Sequence, residues 1–131
     1  MIYSLLVLAS PVAGQTNRTA AGFAAELYNR GHSLHRVFFM DAGVDTALAT
    51  PVVPQDEVNP QALWLALAQQ FDVQLVACIS SALKRGALDE MEAARYEKVA
   101  ATLHPSFELG GLGQLVDASA HSDRLITFGA G

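Results

Sequence analysis

Residues 73–86 read Val-Gln-Leu-Val-Ala-Cys-Ile-Ser-Ser-Ala-Leu-Lys-Arg-Gly, and this stretch decides the fold. Val73 to Cys78 is a short apolar run of the kind that forms a strand buried on both faces. Ile79 to Arg85 then reads as a short helix, stopped by Gly86, which reaches the left-handed region without a side-chain penalty. A strand passing straight into a helix is the start of a β-α-β crossover.

The same alternation extends in both directions. Ile2 to Ala9 is apolar except for Ser4 and ends at Ser10-Pro11 and Gly14, a strand followed by a turn. Thr16 or Asn17 is placed to cap a helix burying Ala20, Ala21, Phe23, Ala24, Leu27 and Tyr28, with Gly31 as its stop. Leu34 to Met40 is a second strand. Asp41 to Asn59 carries Pro51 and Pro54 with little periodicity and reads as a long connection, a candidate interface. Asn59 caps the next helix with Pro60 at its first position, and Leu63, Trp64, Leu67 and Phe71 form its expected buried stripe.

Beyond Gly86, Asp89 and Glu92 make a capping-box-like start to a helix running towards Ala101. Phe107 to Leu109 is a short strand. Gly110-Gly111 turns into a helix whose one face is Leu112, Leu115, Val116 and Ser119, and Leu125 to Phe128 is a last strand. The pattern predicts a three-layer α/β/α fold with a mostly parallel sheet of about five strands, in a single domain over residues 1–131.

Composition narrows the function. Apolar residues make up 51% of the 131 and charged ones only 16%, which suits a buried sheet and surface covered by other subunits. A net charge of −5, with no basic run beyond Lys84-Arg85, argues against direct nucleic-acid binding. The apolar N-terminus lacks the basic start of a signal peptide, and no stretch reaches membrane-spanning length, so a cytoplasmic location is expected.

A single cysteine, Cys78, cannot form an internal disulfide. Its predicted place is the carboxyl end of a central strand, where reactive groups collect in open parallel sheets. There its sulfur would face the free N–H groups of Ile79, Ser80 and Ser81 and the positive end of the helix dipole, which favour a thiolate. The plainer reading is a small apolar side chain filling the core. Lys84 and Arg85 suit the negative end of the same short helix. Six residues of rise, about 9 Å, keep them from touching the sulfur directly.

Other motifs point to no further chemistry. Gly111-Leu112-Gly113 lacks the downstream acidic residue of a dinucleotide fingerprint, and SPVAGQTN lacks the phosphate-loop lysine. His32, His35, His104 and His121 show no metal-binding pair by spacing, so no metal or cofactor is expected. Asp89, Glu90 and Glu92 are accounted for by helix capping.

The chain resembles the DsrE-like sulfur-relay family, most closely its TusD/DsrE branch. The resemblance rests on Arg36-Val37-Phe38-Phe39 with Asp41-Ala42-Gly43-Val44, on Cys78 through Gly86, on Asp89-Glu90 and Glu92-Ala93, on Gly111 through Val116, and on Asp123-Arg124-Leu125. Met40 stands where relatives often carry a tyrosine. The resemblance implies a sulfurtransferase subunit in which Cys78 carries sulfur as a persulfide. It further implies two related small subunits in a heterohexamer, a sulfur-donor protein and a sulfur-acceptor protein. The destination it implies is 2-thiouridine at the wobble position of tRNA, or, in the other version of the pathway, dissimilatory sulfur oxidation. Two rival readings remain: an assembly subunit whose cysteine is inert packing, and a flavodoxin-like small-molecule binder at the strand ends.

Overall fold

In the computed structural model, which describes residues 1–129, five strands form one sheet in the order β4-β3-β2-β1-β5. The strands are β1 (Ile2–Val7), β2 (Ser33–Phe39), β3 (Gln74–Cys78), β4 (Phe107–Gly110) and β5 (Arg124–Phe128), and every neighbouring pair is parallel. Ala130 and Gly131, included in the single-domain expectation, lie outside the described residues.

Strand order sets the layers. The steps from β1 through β4 all move one way, so right-handed crossovers place α1 (Thr16–Asn29) and α2 (Pro60–Phe71) on one face. The return from β4 to β5 moves the other way and puts α5 (Leu112–Ala120) alone on the opposite face. Side chains follow. Phe39 meets Trp64 of α2 edge-on at 5.4 Å and Tyr3 meets Phe23 of α1 at 6.3 Å, while Arg36 reaches across the other face to α5. The α/β/α expectation holds, and the sheet is wholly parallel.

The core is Leu5, Val7, Val37, Phe38, Phe39, Leu75, Val76 and Ala77 of the three inner strands, closed by Ala20, Ala24, Trp64 and Leu67. Small alanines on α1 let it lie close to α2 and the sheet, as native packing density requires. Two expected stripes are corrected. In α2, Pro60, Trp64 and Leu67 are buried, but Leu63 and Phe71 are each 37% exposed. The reason for Phe71 is that α2 packs edge-on against α1, and the ring stacks on Tyr28 with centroids 3.8 Å apart. In α5, Ala118 is the buried residue, whereas Leu112 and Val116 face outward.

Asn17 is not a cap. Gln15 holds that position without a side-chain bond, and Asn17 sits inside the first turn, 1% exposed. Its amide donates to the Ala9 carbonyl (2.9 Å) and to Thr46 Oγ1 (2.8 Å), and its Oδ1 accepts from Trp64 Nε1 (3.0 Å). The first part of the long connection also differs from expectation: Asp41–Ala47 winds as a 3-10 turn. Gly43 permits it, because a Cβ there would collide with the backbone carbonyl of Val7. The chain then pairs Leu48 with Leu103 and accepts Gln61 Nε2 on the carbonyls of Thr46 and Leu48. Only from Ala49 onward does it run mostly exposed to Asn59.

Replacing Asn17 with alanine strands the buried Trp64 N–H and the Ala9 carbonyl. We predict a loss of ~2–4 kcal/mol in urea unfolding at unchanged m-value; a loss within ~0.5 kcal/mol would refute the assigned role.

Candidate functional site

The carboxyl ends of the strands carry the loops that could do chemistry. Cys78 closes β3, an interior strand between β2 and β4, and serves as the N-cap of α3 (Ile79–Lys84) with no loop between them. Alternation along β3 puts Gln74, Val76 and Cys78 on the face covered by α5. Across the ladder Cys78 pairs with Gly110. A Cβ at Gly110 would lie 2.7 Å from Val76 Cγ1 and would strike the carboxamide of Gln114, which fills that space. Gln114 Oε1 is buried there without a hydrogen-bond partner. An unpaired acceptor in a dry site is costly, and this one lies beside the ladder position of the cysteine.

One expectation about Cys78, a sulfur facing the amides that open α3, is corrected. Cys78 is 3% exposed and belongs to the core cluster. Its side chain also makes no capping bond to α3. Both follow from strand alternation, which puts the residue on the α5 face of the sheet beside Gly110.

The helix that begins at this junction is short and held by surface contacts. The six residues of α3 pack on the 3-10 turn. Ser81 Oγ accepts from the Asp41 amide at 3.1 Å. Arg85 donates through Nε and Nη2 to both oxygens of Asp45, at 3.0 and 3.2 Å. That hydrogen bond, with the charge of Asp45, raises the pKa of the guanidinium. Arg85 is thus a fastener of α3, in keeping with its place in the last turn. Beyond α3 an apolar groove of about 750 Å³ is bordered by Leu83, Lys84, Leu88, Tyr96, Lys98 and the fully exposed Val99. Another cleft, of about 620 Å³, lies between the loop after β1 and residues 52–60.

Asp89 caps α4 (Glu90–Arg95) as expected, accepting from the Glu92 amide at 2.8 Å. That helix ends at Arg95, short of Ala101, and Glu97 beyond it is in the left-handed region at φ 55°.

The structure brings together one set of residues that spacing did not reveal. A bulge between β1 and β2 pairs Tyr3 with Leu34 but Ser4 with Arg36, leaving His35 as the extra residue. His35 and Arg36 therefore both reach α5, at Asp117. His121, one turn on from Asp117, approaches the same carboxylate at 3.0 Å. Arg36, 8% exposed, also bonds Gln74 Oε1 and the Gln114 carbonyl. Partial burial pushes the Asp117 carboxyl up. The hydrogen bonds from His35 and Arg36, with the charges of His121 and Arg36, outweigh this and hold it below the ordinary carboxylate value.

The model of the DsrE/DsrF-like family matches residues 1–128. The DsrE protein of Allochromatium vinosum is 38% identical over 129 residues, covering 98% of this chain and 99% of that protein. A protein of Salmonella typhi named sulfurtransferase TusD is 39% identical over 128 residues, covering 98% and 100%. The crystal structure of the ychN protein from E. coli superposes with a TM-score of 0.75 at 21% identity, covering 98% of this chain and all of that one, which shows the fold. Among the described residues no helix is long and apolar enough to cross a membrane.

A carboxyl held below its unfolded value stabilises the fold above that unfolded value, about 3.9, and loses the contribution as pH falls through the folded value. We predict that the stability difference between the parent and Asp117→Asn is fully present at pH 6 and disappears on acidification below that range. Equilibrium unfolding against pH measures it; a difference independent of pH contradicts the assignment.

Proposed function

This chain belongs to the DsrE/DsrF-like family, and from that premise we propose that it is a sulfurtransferase subunit of a protein sulfur relay, with Cys78 as the carrier of a persulfide. The observation that carries the reading is the position of the single cysteine, at the carboxyl end of an interior parallel strand where a helix begins. We take residues 1–131 as one DsrE-like domain.

The transfer is a pair of thiol–disulfide-type displacements. The Cys78 thiolate attacks the outer sulfur of a donor persulfide, forming a new S–S bond at Cys78 as the donor's S–S bond breaks and the donor leaves as a thiolate. An acceptor thiolate then attacks the outer sulfur carried on Cys78, and Cys78 departs as a thiolate. Each step exchanges one S–S bond for another, with no net oxidation, metal or nucleotide.

With the sulfur buried in the lone chain, transfer needs a local opening at this strand end, of α3 or of the amino end of α5. A six-residue helix fastened by the exposed Arg85–Asp45 and Ser81–Asp41 contacts is of the kind that opens locally at low cost. The adjoining apolar groove with Lys84 and Lys98 on its border suits a docked protein partner. Outward-facing Leu112 and Val116, one turn apart on α5, support assembly with two related small subunits in a hexamer. We assign wobble-uridine thiolation of tRNA as the destination of the sulfur. With a net charge of −5 the chain serves that chemistry through a partner protein rather than by holding RNA.

One observation favours a second reading. A cysteine 3% exposed is what an assembly subunit with an inert thiol would show. The two readings part at Cys78→Ser. On the relay reading this variant folds and assembles, but intact-mass analysis after incubation with a persulfidated donor finds the extra, reductant-labile sulfur atom on the parent alone. Cells relying on the variant then lack 2-thiouridine in tRNA. Failure of the parent itself to take up sulfur, or full thiolation in cells relying on Cys78→Ser, establishes the assembly reading instead.

A further inference from the structure

At the amino end of the sheet, His35, Asp117 and His121 bring two imidazoles and a carboxylate within 4.8 Å of one another. We propose that these residues form a three-ligand site for a divalent first-row transition ion, with zinc the ion the donor set fits best. The site is separate from the sulfur chemistry. Arg36, next to His35, pairs with Gln74, four residues before Cys78, which places the cluster about 13 Å along the strands from the thiol.

Geometry carries the assignment. Donors around a tetrahedral zinc with bonds of about 2.0–2.1 Å stand roughly 3.3 Å apart. His121 Nδ1 lies 3.0 Å from Asp117 Oδ1 and 2.9 Å from the Asp117 backbone carbonyl, which it must release to ligate. His35 Nε2 lies 3.5 Å from Asp117 Oδ2, so each imidazole stands near that spacing from one carboxylate oxygen, and all three groups lie within 4.8 Å of one another. Two features of the backbone build it. The bulge in β2 turns His35 onto the α5 face, where simple alternation would have sent it to the other side. On α5, Asp117 and His121 are four residues apart and share one face.

Arg36 is sufficient as the ion-pair partner of Asp117, bonding Oδ2 at 3.0 Å with its own side chain buried. The two histidines are thus not needed to satisfy the carboxylate. Asp117 Oδ1 faces His121 rather than Arg36, and a cation would take the place of that contact. Arg36 then acts as the outer partner that orients the ligating carboxylate. Its positive charge weakens the site relative to one with a neutral outer shell. All three ligands are partly exposed, so a fourth position opens to water, the arrangement of a three-ligand zinc centre. Two imidazoles and a carboxylate also accept nickel or copper in the usual order of affinity.

The test is isothermal titration of the full chain with zinc chloride, in a Cys78→Ser background so that the thiol does not contribute a ligand. The expected result is one zinc per chain. His35→Gln and His121→Gln should each weaken binding at least ~tenfold, with far-UV circular dichroism unchanged. Saturating zinc should raise the thermal midpoint of the Cys78→Ser parent and leave that of either histidine variant in place. Absence of binding in the Cys78→Ser parent overturns the site, and so does parent-like affinity in either histidine variant. Because the parent here lacks the cysteine, the outcome stands apart from that of the sulfur relay.

Discussion

Three hydrogen bonds converge on the buried amide of Asn17, and the carboxyl end of the sheet depends on them. They join the segment after β1 through Ala9, the 3-10 turn after β2 through Thr46, and α2 through Trp64. A carboxamide presents two donors and two acceptor sites in fixed directions, so satisfying three of the four orients all three partners at once. The 3-10 turn positioned this way supplies Asp41 and Asp45, which fasten α3. A chain of contacts thus runs from a polar residue in the first helix to the helix that begins at Cys78. In a dry site each bond is also expensive to lose, which makes this network specify one arrangement of loops rather than several.

The frame was legible because its signals are local. The stretches read as strands, 2–9, 34–40 and 73–78, are too short for helices and lie between turn residues. The structure forms strands there at 2–7, 33–39 and 74–78. The caps at Asn59 and Asp89 act over two or three residues, and both form as read. The errors have one physical source, the dependence of a side chain on neighbours far away in sequence. Asn17 reads as a cap because Asn favours that role, but its partners are 8, 29 and 47 residues distant. Leu63 and Phe71 match a helical stripe, yet the neighbouring α1 takes only part of it. The cluster at Asp117 was invisible for the same reason. His35 is 82 residues away, and only the bulge decides which face it takes.

For Cys78 the sequence located the residue and mistook its surroundings. Strand end and helix start were both legible, and the inference from them to a sulfur facing free amides was sound for a cysteine that leaves the strand alternation. This one keeps it, and lies beneath the α5 face next to the space that Gly110 leaves to Gln114. Shielding is consistent with a carrier, since a persulfide open to every small thiol in solution would be discharged before its partner arrived. On the proposed relay, reachability would belong to a locally opened form rather than to the resting chain.

Helix α5 covers one face of the sheet by itself, and this concentrates unlike tasks on nine residues. Its apolar contribution to the core is modest, with Ala118 alone fully buried and Leu112 and Val116 turned outward. Polar contacts therefore do much of the holding. Arg36 takes the Gln114 carbonyl and the Asp117 carboxylate, and Gln114 places its own carboxamide over Gly110. The amino end of the helix thereby forms a wall beside Cys78, and its carboxyl end forms the histidine–carboxylate cluster. A helix held this way keeps its outer apolar residues free for a neighbouring subunit. Covering that face by a partner would add the apolar burial that the isolated chain lacks, at about 25 cal/mol per Å² removed from water. The sparse packing of α5 is thus explained if assembly, rather than the chain alone, completes the second helical layer.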